Sequence, residues 1–327
     1  MFHPVSNTCM HLVRQGQQFD PVYGNGLSNH LPMALTALAC QGASDEQLTA
    51  FYHRYIKQLN PLRPANDLGT QHPRQGNPAD FGHFLSHYRQ QIRQQGLEPT
   101  VREALAQRLP GLITAAFHGV IRLSYAVALR DNEEVALALA YWASEYQTLG
   151  PLEQTDEYDA QQQLQLAQQQ FADFAFQPGI ITDRVDELSR LPAYQRLAAH
   201  PATLSFEQVA RITIRYYLAS DNFVLLHGVT GFQALHRLLP YLDDPELALR
   251  YYWQAYVAAM CVARTAQGPV DQASCPAVEW EHWHAQSCRS RDDHTIKLIY
   301  SASYLYQHFP WPEYPAAIKM RLAKEAP

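Results

Sequence analysis

Fifteen histidines punctuate the chain, and four of them stand inside apolar runs: His30 in NHLPMAL, His118 in AAFHGVIRLSYA, His227 in NFVLLHGVTGFQAL and His294 in DDHTIKLIYSA. A single such histidine is most simply a hydrogen-bonded core residue. Four together invite a cation, because neutral imidazole suits zinc, copper, iron and nickel, and helical bundles build metal centres from inward side chains on facing helices. His118 and His227 also share a pattern, an apolar pair followed by His-Gly-Val and a continued helix, which points to a distant internal duplication. A glycine within a helix costs about 0.5–1 kcal/mol relative to Ala, so Gly119 and Gly228 suggest a close approach to the backbone beside each histidine.

Lys297 follows His294 by three positions and so shares its helix face. An ammonium beside a dication at 4 Å would be repelled by about 8 kcal/mol, twice the value for unit charges at an effective dielectric near 20. Burial and a neighbouring cation both lower a lysine's pKa. The neutral amine can ligate a metal directly, or add CO2 and become a carbamate that supplies an anionic oxygen. The competing reading is a lysine that snorkels to solvent. Asp292 and Asp293 can orient ligand imidazoles, although acids at a helix start need no such role. Tyr125, Phe232 and Ser301, further along the same helices, are candidates to line a substrate pocket, against a plain core reading. Two other constellations are weaker. His83 and His87 stand four apart in HFLSH, which carries no acid. His282, His284 and Cys288 lie close together in WEHWHAQSC without a fourth partner. His3, His11, His72, His200 and His308 read as loop or proline-adjacent positions.

The elements that must position these groups are helical. Apolar residues recur at three- and four-residue spacing, with no sustained alternation, so the chain reads as all-α: a single large helical, bundle-like domain over residues 1–327 with a buried metal site. Ser44 caps a helix through LTAFYHRYIKQL. Further helical patterns run over residues 79–95, 99–109, 110–129, 132–149, 159–174, 185–199, 205–219, 222–239, 245–266, 289–308 and 315–324. Gly24-Asn25-Gly26 lacks a preceding strand and has Asn29 where a third glycine belongs, so it reads as a turn, and neither a flavin nor a nicotinamide site is expected. Pro61, Pro64, Pro73 and Pro78 mark a long loop able to act as a lid. The glutamine-rich tract over 161–170 reads as a solvated helix or linker. With 25 Lys+Arg against 31 Asp+Glu, the net charge of -6 offers no footprint for nucleic acid. No apolar run reaches the ~20 residues of a membrane span, and the N-terminus lacks the pattern of a secretory signal. The five cysteines contain no CxxC pair, so a reducing, cytoplasmic setting is expected.

The ordered set SNHLPMALTAL, GAS, FYHRY, FHGVIRLSYA, LHGVTGFQAL and DDHTIKLIYSA, spread from about Gly24 to Tyr306, resembles the questin oxidase-like family, which includes fungal oxygenases of anthraquinone-type polyketides. In a fungal ring-cleaving relative, four histidines and a carboxylated lysine bind non-heme iron. The resemblance carries that set onto His30, His118, His227, His294 and Lys297. It implies Fe(II) or another divalent metal, a CO2-derived carbamate on Lys297, and one open coordination position for O2. The reaction implied is oxygen insertion into, or cleavage of, an aromatic or quinol small molecule, with the substrate itself as reductant. Some members are described as NADPH-dependent Baeyer-Villiger oxidases, but no module for that cofactor is visible here. The chain is shorter than typical fungal members, and its 61–78 and glutamine-rich segments have no counterpart in the resemblance. Two other readings compete: a metallohydrolase holding two zinc ions between four histidines and a carboxylated lysine, which would call for a β/α barrel, and a metal-free helical interaction module.

Overall fold

The computed structural model describes residues 2–63, 73–270 and 277–325. Short polar side chains set most of its helix starts. Ser44, Asp131, Asp159, Asn222 and Asp292 each turn an oxygen onto a backbone N–H of the first turn, satisfying donors that a helix cannot pair internally. The α-helices begin with α1 (Asn7–Gly16), α2 (Leu31–Cys40), α3 (Asp45–Tyr55), α4 (Phe81–Gln95) and α5 (Leu97–Arg108). The central group is α6 (His118–Leu129), α7 (Asn132–Ser144), α8 (Ala160–Phe171), α9 (Ile181–Ser189), α10 (Pro192–Gln195) and α11 (Phe206–Ser220). Then come α12 (Phe223–Leu238), α13 (Pro245–Ala263), α14 (Trp280–Ser287), α15 (Asp293–His308) and α16 (Glu313–Ala323). Strands β1 (Val22–Tyr23) and β2 (Leu27–Ser28) pair antiparallel around the Gly24–Gly26 turn, and β3 (Gln154–Thr155) pairs with β4 (His200–Pro201) in parallel. The described residues are thus mostly helical. They contain no β/α barrel, the parallel pair β3–β4 is only two residues long, and no helix among them is long and apolar enough to cross a membrane.

Four helices make the frame of the site. α2 packs on α6, α6 on α12, α12 on α15, and α15 returns to α2. Two glycines allow close packing behind it. A Cβ on Gly119 would lie 2.7 Å from the Trp142 ring of α7, and one on Gly228 would lie 2.7 Å from the Tyr256 ring of α13. The two His-Gly-Val segments therefore share the same local device, an aromatic side chain from the next helix resting on the glycine. The close approach to the backbone expected beside each histidine is thus present at both glycines.

Several boundaries depart from the spacing. Residues 110–129 do not form one helix: a 3-10 turn at Leu109–Gly111 is followed by Ala115, Ala116 and Phe117 with φ of 51°, 54° and 69°, and α6 begins only at His118. The expected helix over 185–199 divides into α9 and α10, because Pro192 starts the second and cannot continue the first. The glutamine tract is helix α8, with one face docked. Gln163 is fully buried, donating to the Leu197 and Ala199 carbonyls and accepting from the Trp253 indole. His11 lies within α1, His308 ends α15, and His200 is buried in β4 rather than in a surface loop. Cys9, Cys40, Cys261 and Cys288 are free thiols. Cys275, His72 and the centre of the expected lid fall outside the described residues.

Candidate metal centre

Three of the four histidines sit at helix entrances, and the fourth lies just beyond a first turn. His30 is the residue before α2, His118 opens α6, His294 is second in α15, and His227 is fifth in α12. The closed circuit of helices brings their rings into a closed circuit as well. Ring centres are 4.5 Å apart for His30 and His118, 4.9 Å for His118 and His227, 5.3 Å for His227 and His294, and 4.8 Å for His294 and His30. Adjacent imidazoles on one octahedral ion, with bonds near 2.1 Å, have ring centres roughly 4.5 Å apart, so the circuit is of the right size and slightly open. The tightest donor set among the described residues is His30, Asp293 and His294, whose ligand atoms all lie within 4.8 Å of one another.

The ring nitrogens are sorted by their hydrogen bonds. His118 Nδ1 lies 2.5 Å from the Ala115 carbonyl oxygen, and His227 Nδ1 lies 2.8 Å from that of Phe223. A carbonyl only accepts, so each Nδ1 carries the proton and each Nε2 keeps a lone pair. His294 Nδ1 faces Asp293 Oδ1 at 2.7 Å. The other Asp293 oxygen stands 3.2 Å from His30 Nδ1, off the line of a hydrogen bond, so both His30 nitrogens are buried without a partner, as is His118 Nε2. Tyr55, the last residue of FYHRY, accepts a hydrogen bond from the His30 backbone N–H at 3.1 Å and fixes the turn that carries it. The left-handed turn before His118 is held by packing: Phe117 rests where a Cβ on Gly231 would come within 2.9 Å of its ring.

Burial dominates the electrostatics. It lowers His30 to about 3, with the Lys297 charge adding to the effect, and it holds His118 and His227 well below the usual imidazole range. All three are neutral near pH 7 and fit to donate lone pairs. Burial works against the Asp293 carboxylate, but the imidazoles of His30 and His294 outweigh it and keep the group well below the carboxylate range. Asp292 plays another part, capping α15 and pairing with Arg321. Lys297 is buried rather than snorkelling, and desolvation pulls it down to about 8 while Asp293 and Asp292 oppose the fall. No hydrogen bond or ion pair to its ammonium occurs among the described residues.

A cavity of about 740 Å³ opens onto His30, His118, His227 and His294. Its walls come from the β1–β2 hairpin, the Gly179–Arg184 segment, the start of α12 and the end of α13. Phe223 stands over the site, its ring 4.6 Å from His294 and 4.8 Å from His227. Sequence reasoning overlooked it, although it lies one helical turn before His227. Tyr125, Phe232 and Ser301 do not line this cavity. Tyr125 packs on Tyr300, Phe232 is enclosed by Phe206 and Tyr252, and Ser301 donates to Gln233 in the core. His83 and His87 gather no third donor among the described residues, and His284 instead bonds Ser303 while Cys288 turns toward the Leu38 and Gln41 carbonyls.

No curated protein matches the chain. A family model, described as questin oxidase-like, matches residues 27–302, a span that holds all four histidines and Lys297. This chain therefore belongs to the questin oxidase-like family.

Proposed function

We propose that this protein is a non-heme iron-dependent oxygenase that uses dioxygen on an electron-rich aromatic or quinol small molecule of polyketide type. His30, His118, His227, His294 and a carboxylated Lys297 would hold the metal. The observation that carries the reading is the circuit of four imidazoles, in which the buried Nε2 atoms of His30 and His118 have no hydrogen-bond partner among the described residues. A buried polar atom without a hydrogen bond costs about 1–3 kcal/mol, and a cation accepting those lone pairs removes the cost. The donor set suits iron: neutral nitrogens with one anionic oxygen. Iron bound there supplies one-electron chemistry toward dioxygen.

The remaining work falls to the chain. The Ala115 and Phe223 carbonyls hold the tautomers that aim Nε2 inward, and Asp293 engages His294 Nδ1 while its other oxygen faces His30 Nδ1. Lys297, drawn down to about 8, has an appreciable fraction of free amine near neutral pH. That amine can attack the carbon of CO2, forming an N–C bond and releasing one proton. A buried positive charge beside the histidines is thereby replaced by a negative carbamate. Phe223 covers the site, and the cavity volume falls within the ~300–1,000 Å³ usual for small-molecule pockets.

The test is elemental analysis of untagged protein purified anaerobically, beside Lys297→Ala. One iron per chain, lost in the variant, is the expected result. Iron absent from the parent protein would refute the metal reading, and iron unchanged in the variant would remove Lys297 from the site.

A further inference from the structure

The cavity above the histidines has a charge that the chain as a whole does not. The protein carries a net charge of -6, yet none of the described residues lining the cavity is acidic, while Arg184 and Arg264 both line it. Neither arginine has an ion pair among the described residues. Asp183, next to Arg184 in sequence, is committed to the Ile180 backbone N–H at 2.9 Å, and Asp293, which does not line the cavity, faces the Nδ1 atoms of His30 and His294. Arg264 is also conformationally unusual. It follows α13 with φ of 52°, a left-handed position that ordinarily goes to glycine and that costs another residue about 1 kcal/mol or more. An arginine kept there holds its charge at the rim of the cavity.

Much of the remaining lining is apolar, with Tyr23, Ser28, Thr182 and Asn222 as its uncharged polar members besides the histidines. Phe223 is 49% exposed and Leu27 45%, and these two of the large hydrophobic side chains left open to solvent face the same cavity. Ile180 adjoins them, close enough that a Cβ on Gly26 of the hairpin would lie 3.3 Å from its Cδ1. Apolar side chains and an aromatic ring over the histidines, with two guanidinium groups that have no ion pair among the described residues, describe one ligand shape.

We propose that the cavity selects an anionic aromatic molecule, a planar ring system bearing a carboxylate, with the rings seated on Phe223 and the charge paired by Arg184 and Arg264. The inference rests on the oxygenase reading only in calling that ligand a substrate. Guanidinium matches carboxylate in a planar, two-bond geometry, so the arginines select for the acid as well as attract it. Arg184 is half-buried and Arg264 exposed, so Arg184 contributes more.

The experiment is calorimetric titration of the full chain with 2-naphthoate and with uncharged 2-naphthol, in metal-free and metal-loaded protein. Naphthoate is expected to bind about tenfold tighter at low salt, with the gap narrowing as salt is raised. Arg184→Gln should weaken naphthoate about fivefold and Arg264→Gln about threefold, leaving naphthol unchanged, and Phe223→Ala should weaken both compounds alike. Naphthol binding as tightly as naphthoate, a double arginine variant without effect, or no binding of either compound would overturn the proposal. Because the metal-free arm reads binding alone, naphthoate selectivity in a protein that takes up no iron would fail the oxygenase reading and leave this one standing.

Discussion

Replacing Ala115 by glycine should make the metal-free protein more stable, although glycine usually weakens a chain. Ala115 has φ of 51° and begins the three-residue left-handed turn that delivers His118. Each L-residue in that conformation costs about 1–2 kcal/mol, which glycine does not pay. Glycine's greater freedom in the unfolded state returns about 0.5–1 kcal/mol of that gain. Ala115 is only half-buried, so its methyl group adds little to the balance, and the net expectation is about 0.5–1 kcal/mol of added stability. For a chain of this size that corresponds to a rise in Tm of roughly 1–2 °C. Ala116 provides the internal control. Its backbone strain is similar, but its side chain is buried, and losing a buried methyl costs about 0.8 kcal/mol, so Ala116→Gly should be close to neutral. Urea unfolding of chelator-treated protein, followed by circular dichroism, measures both. A loss of about 0.5–1 kcal/mol in Ala115→Gly, as for glycine in an ordinary helix, would refute the left-handed turn and with it the account of how His118 is aimed.

Other expectations follow from the same contacts. Gly119→Ala and Gly228→Ala, helix-favouring changes on propensity alone, should each cost about 1–3 kcal/mol because the new methyl meets the Trp142 or Tyr256 ring; an unchanged Tm would contradict that packing. Asp293→Asn keeps the shape but removes the charge facing two Nδ1 atoms, and should lower metal affinity about 10–100-fold in competition with a chelator. Arg122→Met leaves the buried Glu134 without the guanidinium 2.8 Å away, and should cost about 3–5 kcal/mol at neutral pH. Burial already raises Glu134 above its ordinary value despite Arg122, so the folded state holds that proton more tightly than the unfolded one. The stability lost in the variant should therefore return as pH falls and vanish as pH rises through the folded-state pKa, and a loss independent of pH would exclude Glu134 as its source.

The four histidines and Lys297 were legible because each interrupts an apolar helical run, a signal that depends on residue type alone. The circuit of α2, α6, α12 and α15 was not, since helix spacing reveals a buried face but not which helix it meets. The left-handed turn was hidden for a related reason. Ala115, Ala116 and Phe117 have no intrinsic preference for that conformation, and the seat of Phe117 against Gly231 imposes it. The pocket residues went astray in a systematic way. Tyr125 and Ser301 were sought C-terminal to the histidines, and seven residues along a helix carry a side chain about 10 Å away, into the bundle. The cavity lies instead beyond the helix N-termini, so its lining comes from residues before the histidines, such as Leu27, Ala115 and Phe223.

The wall of four histidines begins near one end of the polypeptide and closes near the other. His30 precedes α2 and His294 lies in α15, so the circuit closes only when these sequence-distant helices dock. If the site holds metal as proposed, uptake is tied to the docking of all four helices rather than to any one of them.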